Sequence, residues 1–377
     1  MENDQYFPSE LLEMDIESKI KYFEDYTVAH PALKKAYQQL MKNILVAKPN
    51  SFLLVYGPSG VGKSTLFHKL INDYYQKYEN EMETDKGFIP IAGVEAVSPE
   101  DGRFDWRDFY YRSLVSMKEP LIDYKISREF TENKLIAKSD TKAVLRRSLE
   151  NAVKYRNTKL FLIDEAQHLT KVASSRSLRN QMEALKSFGA QMHIPVILFG
   201  TYDLLEFRDL GGQLIRRGLD VHFPRYRVEY QIEKEAFIDV LWNFQKHLPL
   251  EREPNLVDEW EFFYKRTIGC IGILKDWIFR TFKYHLHLDH NLKTLSMDSF
   301  SEFAHTIDQS YKMAEEAIDK EESLLPEQDE DNLDIKLNLS SEVEHEENNE
   351  DTNNDNKKRK PGVRNPKRDA VGLQEAQ

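Results

Sequence analysis

Apolar side chains recur at helical spacing through Leu33, Ala36, Tyr37, Leu40, Met41, Ile44 and Leu45, behind Pro31, and predict an amphipathic helix opened by that proline. The pattern then changes. Five short runs rich in Val, Ile, Leu and Phe follow at 52–56, 88–94, 160–163, 196–199 and 221–223, with amphipathic stretches between them. Runs that are apolar on both faces and alternate with helices predict an α/β fold, a parallel five-stranded sheet flanked by helices. Over 230–314 the strand signals stop, and patterns such as EAFIDVLWNFQKHL and GILKDWIFRTFKYHL predict a small helical domain. Past Glu315 aromatic residues vanish and the chain becomes rich in Glu, Asp and Asn, as in EHEENNEDTNNDN. Such a stretch buries too little to offset the entropy of ordering, so disorder is expected over about 323–377.

Composition narrows the class. The 377 residues are 40% hydrophobic and 31% charged, the balance of a globular protein, and no apolar run approaches the roughly 18 residues of a membrane span. The acidic start MENDQYFPSELLEMD has no basic segment followed by an apolar one, so no secretory signal is expected and a cytoplasmic location is. One cysteine, Cys270, excludes an internal disulfide or a cysteine metal cluster and reads as a small buried hydrophobe. The net charge of −12 is unevenly spread: residues 314–356 hold seventeen acids against Lys320 and Lys336, and residues 357–377 hold seven Lys/Arg against Asp369 and Glu375. The body up to 313 is therefore nearly neutral and can carry a local basic surface.

The chemistry begins after the first apolar run. Gly57, Pro58, Ser59, Gly60, Val61, Gly62, Lys63, Ser64 and Thr65 fit G-x-x-x-x-G-K-[ST] between a strand and a helical pattern, LFHKLINDYY. The glycines let backbone N–H groups turn inward around phosphate oxygens at a helix N-terminus. Lys63 is expected on the β and γ phosphates, Ser64 on Mg²⁺ and Thr65 near the α-phosphate, which makes ATP and Mg²⁺ the expected ligands. The run LFLI then ends in Asp164 and Glu165, at the strand edge where ligands bind in such sheets. Asp164 is expected to hold the metal, and Glu165 to polarise the attacking water. The long interval from Lys63 to Asp164 leaves room for an additional strand and favours an ATPase over a kinase of small metabolites.

Four further residues carry two readings each. Thr201, after VILFG, either bonds the γ-phosphate or attacking water, or caps the next turn. Arg216 and Arg217 are either arginine fingers reaching a neighbouring subunit's γ-phosphate or a solvated basic pair. Lys275, near the start of a helix, is either a nucleotide-sensing cation or a surface lysine.

Taken together these residues do more than mark a phosphate loop. The sequence resembles the AAA+ ATPases, and specifically the TnsC/TniB transposition regulators of transposons, including CRISPR-associated ones. The resemblance covers about 20–313 and is carried by YTVAHPALKKAYQQLMKNI with VYGPSGVGKSTL, by GVEAVSPEDGRFDWRDFYYRSL, by LFLIDEAQHL, and by VILFGTYDLLEF with QLIRRGLDVHFPRY. It implies an AAA+ P-loop domain over 51–229, a helical lid over 230–314, an acidic then basic tail over 315–377, and an N-terminal segment over 1–50 that borders the nucleotide. Within that segment Tyr26, Val28, His30 and Pro31 are implied around the adenine, although a lone histidine before a helix also serves as its cap. Thr201 is implied as the first sensor and Arg216 as the finger, whereas Lys275 departs from the arginine usual at the second sensor.

What the resemblance implies for function is ATP-dependent assembly, as a ring or helical filament of this chain, on double-stranded DNA without strong sequence specificity. That assembly would link a target-selection protein to the transposase in the cytoplasm of a bacterium. Backbone contacts from scattered basic residues suffice for such binding, and Lys125, Arg128, Lys134, Lys171, Arg176 and Arg208 are the candidates. The basic end KKRKPGVRNPKRDAVG is a solvated terminus, a mobile peptide for a partner or DNA, or on composition alone a nuclear-import signal. A replication initiator or helicase loader would share the nucleotide site, and so would a nucleotide-gated scaffold with little turnover.

Overall fold

The computed structural model describes residues 6–98, 104–125, 128–131, 134–137, 141–171, 175–206 and 219–324. The chain divides into two units, Met1–Ser323 and Leu324–Gln377. The tail expected over about 323–377 lies almost wholly outside the described residues.

Two helices come first, α1 (Ile16–Asp25) and α2 (Pro31–Val46). Asp15 caps α1 by accepting from Ser18 N, and Pro31 occupies the first turn of α2, where a missing N–H costs nothing. The α/β layer then runs β1 (Phe52–Tyr56), α3 (Lys63–Lys77), α4 (Glu79–Thr84), β2 (Ile91–Glu95), α5 (Trp106–Ser116), α6 (Ile122–Lys125), β3 (Arg128–Thr131), β4 (Lys134–Ala137), α7 (Thr141–Tyr155), β5 (Leu160–Asp164), α8 (Ser175–Met192), β6 (Val196–Gly200) and β7 (Leu219–His222). Five helices complete the described chain: α9 (Gln231–His247), α10 (Trp260–Thr267), α11 (Ile271–Leu288), α12 (Met297–Glu302) and α13 (Ile307–Glu322).

The five-stranded sheet has the order β2-β5-β6-β1-β7, and every pairing in it is parallel. All five residues of β1, β5 and β6 are buried, because these central strands are covered on both faces. Register decides what meets at the carboxyl edge. Tyr56 pairs with Gly200, and Ile163 with Leu198, so the segments leaving β1, β5 and β6 emerge side by side. One apolar cluster joins the sheet to α2 and α3 through Leu40, Leu53, Val55, Leu66, Leu162, Phe199 and Phe223, with Cys270 buried in it. A second fills the helical layer around Phe237, Phe244, Phe263, Trp277 and Phe282, and takes in Ile20 and Phe23 of α1. Each such side chain contributes about 1.5–3 kcal/mol by leaving water. The first helix thus shares a core with elements more than two hundred residues away in the chain.

Three expectations shift. β2 begins at Ile91 rather than 88, because Pro90 has no N–H to give a ladder; Phe88 and Ile89 are buried in the approach, where Ile89 N donates to Arg156 O. A two-stranded antiparallel sheet, β3 with β4, lies between α6 and α7, where no strand was expected. The acidic composition beyond Glu315 does not end helical order: α13 runs to Glu322, past the boundary expected at 314. A capping box opens it, Thr306 Oγ1 accepting from Gln309 N while Gln309 Oε1 accepts from Thr306 N. Ser310 and Ala317, two turns apart, face inward, and Ala317 reaches the sheet-side core.

Candidate functional site

The loop between β1 and α3 is shaped by its glycines. A Cβ on Gly57 would stand 2.0 Å from Phe223 O, and Gly60 and Gly62 take φ of 76° and 111°, a region that disfavours side chains. Gly60 O in turn accepts from Gly272 N at 2.6 Å and Ile273 N at 3.3 Å, so the first turn of α11 is bonded to the loop. Lys63, the first residue of α3, is buried, and its Nζ donates to Gly57 O at 3.0 Å and Pro58 O at 2.8 Å. Burial lowers its pKa, and the charges of Glu165 and Asp164 oppose that shift.

Asp164 ends β5 and is buried. Its Oδ1 accepts from Glu165 N at 2.9 Å, and Ser64 is close enough to the same carboxyl group to lower its pKa. Desolvation raises its pKa, while these contacts and Lys63 pull it down. Glu165 takes the left-handed conformation, φ 49°, a backbone that costs a non-glycine residue about 1 kcal/mol and turns its side chain away from the strand. Glu165 Oε2 accepts from Gln167 Nε2 at 2.5 Å, and Gln167 Oε1 accepts from Thr201 N at 3.2 Å. One buried amide therefore joins the acid of β5 to the residue after β6. No sequence motif singles out Gln167; its place two residues after the acid pair was the available signal.

Thr201 sits at the cap position of the turn Tyr202–Leu204, yet its side chain makes no cap bond there. Its Oγ1 is buried and finds no hydrogen-bond partner among the described residues. A buried hydroxyl in that state costs about 1–3 kcal/mol, which favours a ligand contact over the capping alternative. Beside it Tyr202 OH pairs with His222 Nε2 at 3.0 Å and donates to Glu321 Oε1 at 3.4 Å, and Glu321 Oε2 lies 3.2 Å from Arg225 Nη2. The last turn of α13 is thereby tied to the residue next to Thr201, a connection that the acidic composition of that stretch concealed.

A cavity of about 70 Å³ opens beside the loop. Thr27, Val28, His30 and Leu33 form one wall, Val61, Gly62 and Thr65 the loop side, and Phe244, Ile271, Gly272 and Lys275 the helical side. His30 caps α2, Nδ1 accepting from Leu33 N at 3.4 Å and pairing with Tyr226 OH at 2.9 Å, and the residue also lines the cavity. Burial, helped by the charge of Lys34, pushes its pKa down to about 4, so the ring is neutral at ordinary pH.

Lys275 is where the geometry departs most from expectation. Its Nζ donates to the backbone carbonyls of Phe23 and Glu24, at 2.6 and 3.2 Å, and to that of Tyr26. The ammonium is thus held on the end of α1, while the residue lines the cavity beside the phosphate loop. Desolvation brings its pKa down to about 8, against the opposing charges of Asp25 and Glu24. Tyr26 does not line the cavity; it stacks on His247 with ring centroids 3.9 Å apart.

Of the remaining candidates, Arg208, Arg216 and Arg217 lie outside the described residues. Lys125 ends α6, Arg128 and Lys134 open the two strands of the antiparallel pair, and Arg176 lies in the first turn of α8; only their backbone is described. Lys171 is exposed.

Residues 46–207 match the family model described as an AAA domain. No curated protein matches the sequence. Among solved structures the chain is similar to the Walker-type ATPase PABY2304 of Pyrococcus abyssi, at 17% identity over 80% of this chain and 77% of that one, with a TM-score of 0.44. It is similar also to the ORC2 protein of Aeropyrum pernix in ADPNP–ADP complexes, at 12% identity over 77% and 71% of the two chains, with a TM-score of 0.49. A third likeness is to domain III of the replication initiation protein DnaA of Thermotoga maritima, at 15% identity over 78% and 96%, with a TM-score of 0.37. The phosphate loop leaving β1 and the acid pair ending β5 thus lie on a five-stranded parallel sheet flanked by helices, and the stretch that carries both is the one similar to the AAA domain.

Proposed function

We propose that this chain is a Mg²⁺-dependent ATPase of the AAA+ type that assembles, with ATP bound, as a ring or helical filament on duplex DNA and links target-site selection to a transposase. The observation that carries the ATPase half is the convergence of Lys63, Ser64, Asp164, Glu165 and an unpartnered Thr201 hydroxyl at the carboxyl edges of three adjacent strands. The transposition half rests on the sequence segments that resemble the TnsC/TniB regulators. A DNA-associated role in the bacterial cytoplasm belongs to the same reading.

The metal fits the donors present. Ser64 Oγ and the buried Asp164 carboxylate lie close together and supply the hard oxygen ligands that Mg²⁺ takes. When bound there it would neutralise charge on the β and γ phosphates. The residues divide the remaining work. The Lys63 ammonium, held on two carbonyls of its own loop, would exchange them for phosphate oxygens. Glu165 would accept the proton of the attacking water as its oxygen bonds the γ-phosphorus and the bond to the β-γ bridging oxygen breaks. Gln167 would hold that carboxylate, and the Thr201 hydroxyl would donate to the γ-phosphate or the water. Arg216 is proposed as the finger supplied to a neighbouring subunit, with Arg217 beside it, and the basic residues named above are proposed on the DNA backbone.

The test is duplex-DNA binding and particle size with ATP, ADP and a non-hydrolysable analogue, for wild type, Lys63→Ala and Glu165→Gln. Oligomers that form with ATP on unrelated DNA sequences, vanish in Lys63→Ala and persist in Glu165→Gln are the expected result. Tight ATP binding with no DNA-dependent assembly would overturn the filament and leave a loader or scaffold.

A further inference from the structure

An ammonium group has three hydrogens and no lone pair. In Lys275 all three face carbonyl oxygens, those of Phe23, Glu24 and Tyr26. These oxygens belong to the last turn of α1 and the residue that follows it, where a helix leaves acceptors without partners and its dipole favours a cation. The same ammonium lies 4.9 Å from the centre of the Phe23 ring, which is fully buried against Phe244 and Phe282. So α11 of the helical layer grips the end of α1. Immediately beyond the grip, Thr27, Val28 and His30 form a wall of the cavity beside the phosphate loop. At the far end of that wall Tyr226 OH holds His30 Nδ1 and accepts from Ala32 N at 3.1 Å. The connection between α1 and α2 is thereby fixed at both ends.

We infer that Lys275 is a positioning residue for the base end of the nucleotide: it holds the wall against which an adenine lies and does not touch phosphate. The inference rests on the nucleotide-binding reading above and assigns this side chain a different task within it. A cation on the γ-phosphate separates ATP from ADP. A tether on the end of the base wall acts on every ligand that carries an adenine.

Replacing Lys275 should therefore weaken ATP, ADP and adenosine by one common factor, on the order of tenfold. Arginine separates the two roles further. It keeps the charge a phosphate sensor needs, but its planar fork does not place three donors on three converging carbonyls, so Lys275→Arg should behave like Lys275→Met.

The experiment is calorimetric titration of the full chain, as wild type, Lys275→Met and Lys275→Arg, with ATP, ADP and adenosine, with thermal melting to establish that each variant is folded. Equal loss across the three ligands in both variants is expected. Loss confined to ATP, or recovery of ATP binding in Lys275→Arg, would overturn the inference. Amide exchange in the wild type tests the tether without any substitution: protection across 24–30 should rise equally under ATP and ADP, and a rise under ATP alone counts against it. A wild type that binds none of the three ligands would instead remove the nucleotide reading, and this inference with it.

Discussion

Gly272 N donates to Gly60 O across 2.6 Å, joining the first turn of α11 to the phosphate loop backbone to backbone. A Cβ added at Gly272 would stand 2.5 Å from that same oxygen, and neither backbone can give way cheaply. Gly272→Ala is accordingly expected to separate loop from helix, at about 1–3 kcal/mol of overpacking. Thermal melting and ATP titration should both register it; an unchanged melting temperature would mean that the two segments are not held together in solution.

The amide of Gln167 gives the second prediction. Gln167→Ala removes the donor to Glu165 and the acceptor for Thr201 N while leaving the phosphate loop alone. The turnover number should fall on the order of 10²-fold with KM for ATP nearly constant. Gln167→Glu should do no better, because it sets a second carboxylate where a donor is required. Steady-state kinetics decide the matter, and a rise in KM with unchanged turnover would place Gln167 in binding instead.

His30 makes stability depend on pH. Its pKa is about 4 in the fold against 6.5 when unperturbed. Between those values the unfolded chain binds a proton that the folded chain refuses, so stability falls as pH drops from about 6.5 to about 4, by on the order of 3 kcal/mol, and levels off below. The gap in melting temperature between wild type and His30→Gln should narrow from pH 7.5 to pH 4.5. A constant gap would mean that the ring titrates normally.

The Arg225–Glu321 pair is nearly buried, with side chains 10% and 11% exposed. Arg225→Met leaves the acid without its counter-charge and should cost about 3 kcal/mol, whereas the double variant Arg225→Met, Glu321→Met should recover most of it. Urea unfolding of the two single variants and the double closes the cycle; additive losses would mean that the pair does not interact.

How far the sequence alone reaches depends on how local each feature is. The phosphate loop and the acid pair are contiguous motifs flanked by apolar runs, so Gly57 to Thr65 and Asp164 to Glu165 declared their place at a strand edge. The bridge through Gln167 needs the register of β5 against β6, which no local pattern encodes. The partners of Lys275 lie some 250 residues upstream, and only a shared core of α1 with α11 brings them together. In α13, the change of composition at Glu315 set the expected boundary of the helical domain at 314, while the Thr306–Gln309 box and the inward spacing of Ser310 and Ala317 are the helix signals that carry it to Glu322.

The placement of α13 gives whatever pulls on the chain after Leu324 a point of application. Tension there reaches first the final turn of the helix, where Glu321 holds Arg225 and Tyr202. Peeling that turn away would strip the acid from two partners and loosen the residue adjoining Thr201 while the phosphate loop, the acid pair and the strands beneath them stay as they are. The helix end thus offers a handle that reaches the neighbour of Thr201 through one acid, by a route separate from the phosphate loop and the acid pair.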